Sequence, residues 1–215
     1  MNLQSKARAY QVGEKHYDTG NQFFENMLDK RMVYTCGYWK EAQNLDEAQE
    51  AKLDLVCRKL NLQPGQRILD IGCGWGSFVK FAAEKYGVEA VGITISKEQA
   101  AYGKKNTDGL PVEIRLQDYR SVNETFDHVI SLGMMEHVGY KNYRIYMEVV
   151  DRCLKDDGLF LLHTIGNLLS AKSGDLFADK YIFPNAVAPS PRQLTAAMEN
   201  LFVIEDWHVF GHDYY

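Results

Sequence analysis

Close pairs of cysteine or histidine, of the kind that bind metals, are lacking in this sequence. The four cysteines share no C-x-x-C spacing, and the six histidines are scattered without an H-E-x-x-H pattern. Such spacings are typical of disulfide scaffolds, zinc sites and redox motifs. We therefore predict free thiols in a reducing cytoplasm, and no metal site.

Long apolar runs and dense basic segments are lacking as well. No apolar run reaches the length of a membrane-spanning helix, and the first residues have no signal-peptide core. The net charge of −5 argues against a nucleic-acid partner, and the absence of a Lys/Arg cluster argues against electrostatic docking to lipid. With 215 residues, 46% of them hydrophobic, we expect one globular domain with an ample core.

The sequence does contain a glycine-rich loop directly after an apolar strand, in Arg67–Gly76. Asp70 is followed by three glycines spaced two residues apart, and a helix pattern begins at Ser77. Glycine permits backbone angles that other residues avoid and lets a ligand approach the main chain. The N-terminus of a helix beside such a loop favours negative charge. A tight structural turn is the alternative interpretation.

This loop does not fit the dinucleotide-binding fingerprint. That fingerprint expects a glycine at the position of Ser77 and an acid at the end of the second strand, where this chain has Thr-Ile-Ser at 94–96. The pattern Asp-x-Gly-x-Gly-x-Gly instead resembles motif I of the S-adenosylmethionine-dependent methyltransferases. The resemblance implies S-adenosylmethionine as the cofactor.

Segments of strand and helix character alternate along most of the chain. This alternation predicts an α/β fold with a sheet of parallel strands in the order 3-2-1-4-5, covered by helices on both faces. The resemblance of the glycine loop implies that this is the Rossmann-like sheet of a class I S-adenosylmethionine-dependent methyltransferase. Residues 1–60 are interpreted as an aromatic and helical N-terminal cap, and 61–215 as the cofactor-binding core. Strands are predicted directly after a turn at 63–65 and at 89–95, 112–117, 126–133, 158–163 and 202–210, with helices at 44–60, from 77, from 96, at 142–153 and from 190.

The predicted sheet is short of one strand at its C-terminal end. Methyltransferase-like sheets usually close with a seventh, antiparallel strand, and this sequence stops at Tyr215 directly after the sixth. We therefore expect a sheet truncated before its last antiparallel strand. A naturally short variant is the alternative.

The ends of the first three strands supply candidate cofactor contacts, because ligands of doubly wound sheets bind outside the carboxyl ends of the strands. Asp118 can accept from an adenine amino group, or simply form a turn, and Tyr119 can stack on the adenine ring. Gln99 completes a capping-box pattern with Ser96, but it also stands where an acid would bind a ribose. The cofactor-binding residues predicted at these strand ends are Asp70, Gly72, Gly74, Thr94, Ile95, Gln99, Asp118 and Tyr119.

The ends of the fourth and fifth strands carry an acid and a histidine. Glu136 stands among apolar neighbours, which should raise the pKa of its carboxyl group and suit it to proton handling. His163 ends the fifth strand, where a lone histidine is more often a satisfied core residue. Because the two strand ends should be neighbours, a shared polar site is favoured.

Several further stretches occur together in one methyltransferase family. They are His16–Asp18, Tyr34–Trp39, Asp70–Gly76, Gly92–Ser96, Gln117–Arg120, Glu136–Gly139, Leu161–Gly166, Lys180–Pro184 and Phe210–Tyr214. On these stretches the chain resembles the cyclopropane-fatty-acyl-phospholipid synthases over essentially its whole length. Thr35 stands where many members carry serine, which keeps a hydroxyl group there.

The resemblance implies transfer of a methylene group from S-adenosylmethionine to the cis double bond of an unsaturated phospholipid acyl chain. It implies a cytoplasmic enzyme, peripheral at the inner face of the membrane, and leaves a homodimer open. Tyr34 and Thr35 would join the cofactor contacts. It also implies a bound bicarbonate, held by the side chains of Glu136, His163 and Tyr214 and by the backbones of Cys36 and Ile165.

A polar site in apolar surroundings suits this chemistry. An alkene is a poor nucleophile that needs a sulfonium methyl group, and the resulting carbocation must lose a proton before the ring closes. The carbocation could alkylate a free carboxylate of the protein. A small exchangeable anion, positioned by Glu136 and His163, is therefore a sensible alternative as the base. The alternatives are a methyltransferase acting on a small-molecule amine, or on an acyl chain without ring closure, and a noncatalytic cofactor-binding protein.

Overall fold

The computed structural model describes Gln4 and residues 20–213, and its centre is a five-stranded sheet. All strand pairs are parallel, in the order β3-β2-β1-β4-β5, which confirms the predicted order. The strands are β1 Arg67–Ile71, β2 Glu89–Thr94, β3 Val112–Leu116, β4 Phe126–Leu132 and β5 Leu154–His163. The fifth strand begins earlier than expected, with a register shift between Phe126 and His128.

Helices connect the strands and cover both faces of the sheet. They are α1 Asn21–Met27, α2 Leu45–Lys59, α3 Ser77–Tyr86, α4 Lys97–Asn106, α5 Met135–Val138, α6 Tyr143–Cys153, α7 Leu176–Tyr181 and α8 Pro191–Met198. Short 3-10 turns lie at Tyr119–Ser121, Tyr140–Asn142 and Gly211–Asp213. None of the helices in residues 20–213 has the length and apolar character needed to cross a bilayer.

Three helix starts predicted from the sequence carry the expected caps. The side chain of Asn44 accepts from the Glu47 backbone at the start of α2, and Ser96 does the same for α4. Ser190 opens α8 with a full capping box and a proline in the first turn. Each cap satisfies a backbone N–H that the helix itself leaves free, so these starts are fixed locally.

Alternate residues of each strand point to opposite faces, and each face has its own apolar cluster. Leu69 and Ile71 of β1 pack on one side with α6 and α8, and Ile68 packs on the other with α2 and α3. The central strands β1 and β2 are buried along most of their length, and polar residues that could meet a ligand, such as Asp70 and Thr94, stand near the carboxyl ends of these strands.

The glycine loop leaves β1 with a sharp change of direction. The backbone N–H groups of Gly72 and Cys73 both donate to the Ile93 carbonyl at 3.0 Å, which ties the loop to β2. Gly72 has a φ of +90°, and a Cβ there would lie 3.2 Å from the side chain of Met134. A side chain at this position would meet both strain and contact, so glycine is required.

The N-terminal part of the described chain lies over the carboxyl ends of the strands. Ser77 Oγ donates to the Arg31 carbonyl at 2.5 Å, and Gln49 Nε2 donates to the Thr35 carbonyl at 2.7 Å. The backbone of Trp39 donates to Asp213 at 2.9 Å. Within this segment, α1 is a helix that the sequence analysis did not place.

The predicted sixth strand over 202–210 is wrong for the described residues. This segment is extended but forms no ladder with the sheet, and Val203 and Val209 are exposed. A strand forms by pairing its backbone with a neighbour, and neither β5 nor any other described segment pairs with it. The segment is instead held at its end, where Phe210 packs 5.5 Å from Tyr38 between ring centroids.

Candidate active site

A pocket opens at the carboxyl edge of the sheet, between the strand ends and the N-terminal segment. Every residue predicted to bind the cofactor lines it. Those residues are Tyr34, Thr35, Asp70, Gly72, Gly74, Thr94, Ile95, Gln99, Asp118 and Tyr119. The fold therefore brings the whole predicted set to one cavity, while the role of each residue stays a prediction.

Asp70 supplies an unsatisfied charge at the end of β1. It is 2% exposed, and its Oδ1 has no hydrogen-bond partner among the described residues. Burial raises the pKa of this carboxyl group to about 7, and the positive charge of Lys52 acts in the opposite direction. Buried polar atoms are normally paired, so a ligand cation or ammonium group at Asp70 would complete its bonding.

Gln99 does more than cap its helix. Its backbone N–H donates to Ser96 Oγ at 3.2 Å, which is the cap, and its side-chain oxygen accepts from Thr94 Oγ1 at 2.7 Å. The amide therefore lies against the end of β2, inside the pocket. Both interpretations of Gln99 are compatible with this arrangement, because cap and amide use different atoms.

Asp118 and Tyr119 are already engaged by Arg120. Asp118 Oδ1 accepts from the Arg120 backbone at 2.9 Å, so the turn-forming interpretation applies, and its Oδ2 lies 2.9 Å from the Arg120 guanidinium. That guanidinium lies 4.6 Å from the centroid of the Tyr119 ring. An adenine stacked on Tyr119 would have to use the remaining surface of this ring.

Glu136 lies at the other end of the edge, in α5 just after β4. Its Oε1 accepts from the Ile165 backbone N–H at 2.7 Å, and its Oε2 is buried without a partner among the described residues. Burial raises the pKa of the Glu136 carboxyl group, against the Ile165 hydrogen bond, which lowers it. The direction is the one expected from the sequence, and it favours a group that exchanges protons.

His163 ends β5 and meets the N-terminal segment. Its Nε2 lies 3.4 Å from Cys36 Sγ, and its Nδ1 is buried without a partner among residues 20–213. Burial, together with the charge of Lys52, lowers the pKa of His163 to about 4, so the ring is neutral at pH 7. Cys36, from the N-terminal segment, and Ile165, just after β5, thus both lie close to the end of β5.

One predicted contact has a different partner from the expected one. Ile165 was expected to offer its backbone N–H to a bound anion, and in the structure this N–H donates to Glu136. Tyr214 and the His16–Asp18 stretch lie outside the described residues. The predicted place of Tyr214 in the site stays a prediction.

Sequence reasoning missed Lys52. This lysine on α2 is completely buried and lines the pocket, and its Nζ donates to Thr35 Oγ1 at 2.7 Å. A signal was present, because Lys52 lies four residues from both Ala48 and Val56, which are on the buried face of the helix. A lysine in the middle of such a face is rare without a partner.

No metal cluster occurs in the described part of the chain, taken as three or more ligating side chains. The four cysteines all lie in the described part of the chain, and no disulfide joins them. The groups that face the pocket are carboxylates, hydroxyls, amides and backbone N–H groups, which suit an adenosine derivative with an amino-acid end. The sheet order, the glycine loop and this pocket together define the class I S-adenosylmethionine-dependent methyltransferase fold.

Within that class the chain belongs to one family. The family model described as "Mycolic acid cyclopropane synthetase" matches residues 4–215. The chain is 54% identical to the cyclopropane-fatty-acyl-phospholipid synthase of Escherichia coli K12, over 100% of this chain and 56% of that protein. The chain therefore spans little more than half the length of this curated relative.

Solved structures agree with the assignment. The mycolic acid cyclopropane synthase CmaA1, in complex with SAH and CTAB, is 34% identical with a TM-score of 0.81, covering 87% of this chain and 72% of that one. Coclaurine N-methyltransferase, bound to N-methylheliamine and SAH, is 26% identical with a TM-score of 0.73, covering 89% of this chain and 58% of that one.

Proposed function

We propose that this chain carries the cofactor-binding and catalytic part of a cyclopropane-fatty-acyl-phospholipid synthase. It transfers a methylene group from S-adenosylmethionine to the cis double bond of an unsaturated phospholipid acyl chain. The 54% identity to the Escherichia coli synthase supports the reaction. The SAH bound in the CmaA1 structure supports the cofactor.

The cofactor would lie across the ends of β1 to β3. Its ammonium group would pair with Asp70, whose buried Oδ1 has no partner in the described structure. Its ribose would approach Thr94 and Gln99, and its adenine would approach Asp118. This orientation would direct the sulfonium methyl group toward the ends of β4 and β5, next to which Glu136 lies in α5.

The observation that carries the proposal is a pair of buried polar atoms without partners on neighbouring strand ends. Glu136 Oε2 and His163 Nδ1 are both in this state, next to Cys36. A small anion such as bicarbonate could form hydrogen bonds with both atoms, Glu136 Oε2 and His163 Nδ1. The Ile165 N–H would then act through Glu136, to which it already donates, rather than on the anion directly.

The reaction then balances as follows. The alkene electron pair would attack the sulfonium methyl carbon. The S–C bond would break, and its bonding electrons would stay on the sulfur of the departing S-adenosylhomocysteine. A base held by Glu136 and His163, for which bicarbonate would serve, would accept a proton from the new methyl group, so that the C–H electrons form the third ring bond and neutralise the cation on the neighbouring carbon. His163 is neutral at pH 7, and the pKa of Glu136 is raised. The two side chains could therefore hold such a base without placing a positive charge beside it.

Exposed apolar side chains near the site support a membrane-bound substrate. The segment between β5 and α8 leaves the sheet edge at His163 and returns beside it, where the Val187 N–H donates to the Glu136 carbonyl at 2.8 Å. We name its exposed apolar side chains the apolar rim: Leu168, Leu169, Leu176, Phe177 and Tyr181. Apolar groups of this kind can enter a bilayer surface without any basic cluster.

The experiment that tests the function is mass spectrometry of lipids. The chain is incubated with S-adenosylmethionine, bicarbonate and vesicles of a monounsaturated phospholipid. We expect a product heavier by one CH₂ that has lost its double bond. A product heavier by one CH₂ that keeps a double bond would indicate methylation without ring closure, and no product in spite of SAH binding would contradict the proposed activity.

A small-molecule amine is the second candidate substrate, supported by the likeness to coclaurine N-methyltransferase. An amine needs a methyl acceptor site but no anion, because its lone pair attacks and its own proton is lost to water. Removal of bicarbonate separates the two. Cyclopropanation should fail in bicarbonate-free buffer and recover on its addition, whereas amine methylation should not respond.

A further inference from the structure

Lys52 is a buried charge that the reaction described above does not use. It is 0% exposed, in the middle of α2, and it touches the pocket wall. Burying an ammonium group is expensive unless opposite charges and hydrogen bonds compensate for it. Asp29 and Asp70 provide the charges, and Thr35 Oγ1 accepts from Nζ at 2.7 Å. An apolar residue at this position would avoid the cost of burying a charge. We therefore expect the Lys52 ammonium group to have a function through its contacts.

The hydrogen bond from Lys52 determines what the Thr35 hydroxyl can do. A hydroxyl group has one proton and two lone pairs, while an ammonium group can only donate. Lys52 therefore occupies a lone pair of Thr35 Oγ1, and the Thr35 proton is left for another acceptor. The rest of this residue is fixed, because its carbonyl accepts from Gln49 and its Cγ2 lies within 2.7 Å of where a Cβ of Gly133 would be.

We propose that Lys52 is a positioning residue that turns the Thr35 hydroxyl into a hydrogen-bond donor for the carboxylate of the cofactor's amino-acid end. The inference rests on the proposed function, in that the cofactor is an S-adenosylmethionine derivative. Lys52 acts through Thr35, since no part of its own side chain is accessible. Its positive charge also strengthens any hydrogen bond to a carboxylate at Thr35.

The charges around the pocket agree with this placement. Asp70 and the Lys52–Thr35 pair line the same pocket as Gly72, at the amino-acid end of the proposed orientation. An α-amino acid carries one ammonium and one carboxylate group, so it needs one partner of each sign. Burial lowers the pKa of Lys52 to about 8, opposed by Cys36 and the two aspartates, so the ammonium form still predominates at pH 7.

The test compares two ligands that differ only at the amino-acid end. S-Adenosylhomocysteine carries the carboxylate, and 5′-methylthioadenosine is the same adenosine thioether without the amino-acid group. In calorimetry, Lys52→Met should weaken S-adenosylhomocysteine binding about 10–100-fold, the range of one lost charge-assisted hydrogen bond. Its affinity for 5′-methylthioadenosine should stay within about twofold. Lys59→Met on the same helix, where the lysine pairs with Asp206, should change neither.

Thr35 variants test the same hydroxyl without removing the buried charge. If circular dichroism shows that Lys52→Met does not fold, Thr35→Val should still lose affinity for S-adenosylhomocysteine alone, and Thr35→Ser should keep it. Equal losses for both ligands, or full affinity in Thr35→Val, would overturn the inference while leaving the proposed function in place. Absence of S-adenosylhomocysteine binding in the unaltered chain would overturn the proposed function itself.

Discussion

The two halves of the candidate site are built from different kinds of contact. The cofactor side, at the ends of β1 to β3, combines local pairs such as Thr94 with Gln99 and contacts of longer range such as Lys52 with Thr35. The reaction side, at the ends of β4 and β5, lies beside the pocket and is held by partners far apart, such as Cys36 with His163, which are 127 positions apart. Part of the cofactor side is therefore encoded in local motifs, whereas the reaction side exists only once the chain has folded.

The polar atoms on the two sides also differ in what they lack. On the cofactor side, Gln99 and Asp118 already have protein partners, and Asp70 Oδ1 has none within the described part of the chain. On the reaction side, Glu136 Oε2 and His163 Nδ1 have none there either. We infer that the cofactor side is largely formed before its ligand arrives, with one bond left open at Asp70, while the reaction side is completed by what binds there.

The largest expected effect is on the cofactor side, at Gly74. A Cβ at this glycine meets no protein atom within 4 Å, so a valine would project into the pocket space that the cofactor needs. We expect Gly74→Val to abolish measurable S-adenosylhomocysteine binding, because the side chain and the cofactor would occupy the same space. Isothermal titration calorimetry measures it.

Gly65→Val is the matched control for Gly74→Val. Gly65 also has a positive φ and open space around it, but it lies in the turn before β1. The Gly65→Val variant should have similar backbone strain, of about 1–2 kcal/mol, and should keep its affinity for S-adenosylhomocysteine. Equal affinity in both variants would remove the pocket assignment of the glycine loop.

The next largest effect is on the reaction side, at Glu136. Glu136→Gln keeps the shape of the side chain and an oxygen for the Ile165 N–H, but it removes the titrating group. We expect the rate of cyclopropane formation to fall about 10²–10⁴-fold, the usual contribution of acid–base support. Cofactor affinity should be nearly unchanged, which the lipid assay and calorimetry check together.

Glu148→Gln is the control for Glu136→Gln, because Glu148 lies on the exposed face of α6 and pairs only with Arg144 there. It should retain the full rate. If Glu136→Gln were as active as the unaltered chain, or lost cofactor affinity in proportion to its rate, the division between the two sides would fail.

A smaller effect concerns the stability of the reaction side toward acid. The pKa of His163 is about 4 in the folded chain and near 6.5 when unfolded, so the unfolded state binds the extra proton. The contribution of neutral His163 to the free energy of unfolding is fully present above pH 6.5 and is lost as the pH falls toward 4. From pH 7 to pH 5 the loss is about 2 kcal/mol by linkage.

The measurement is urea unfolding of the unaltered chain and of His163→Gln at pH 7 and pH 5. Asp70 and Glu136 have raised pKa values and act in the opposite direction, and they are present in both proteins, so the difference between the two isolates His163. The unaltered chain should lose more stability than the variant. Equal losses would mean that His163 is accessible to protons in the native state.

The smallest effect concerns access to the reaction side through the apolar rim. Leu168 is 95% exposed and Phe177 is 64% exposed, so aspartate at either position should disturb the fold little. We expect Leu168→Asp and Phe177→Asp each to weaken vesicle binding about 3–10-fold, from the burial of one large apolar side chain. Vesicle co-sedimentation measures it.

Val203→Asp provides the control for the apolar rim. Val203 is 89% exposed in the C-terminal segment, and it should have no effect on vesicle binding if the rim is the contact surface. A loss as large as that of the rim variants would mean that apolar exposure in general, rather than this surface, attracts the lipid.

The sequence predicted those parts of the fold whose signals are local. The helix caps at Asn44, Ser96 and Ser190 and the glycine loop are each encoded within a few residues, and all of them are present. The order of the parallel strands followed from the alternation of strand and helix patterns. The sixth strand failed because a strand depends on its partner, and apolar residues alone do not provide one.

For the site, sequence reasoning named residues that the fold brings together, but not all of their protein partners. The cofactor set lines one pocket, yet the engagement of Asp118 by Arg120 and of Ile165 by Glu136 depends on side-chain geometry that periodicity does not carry. Lys52 was missed because a lysine is normally taken as exposed, and only its place on the buried face of α2 argued otherwise.

The segment that carries the apolar rim is closed at its base. The Asn167 N–H donates to the Pro189 carbonyl at 2.8 Å, and Ser170 Oγ lies 2.8 Å from Ser190 Oγ. Because the two ends are joined there, and because doubling a flexible loop costs only about 0.6 kcal/mol, exposed residues of this segment can change at little cost to its closure. A change among them would alter the surface next to Glu136, which the segment reaches through Val187, and would leave the ends of β1 to β3 in place.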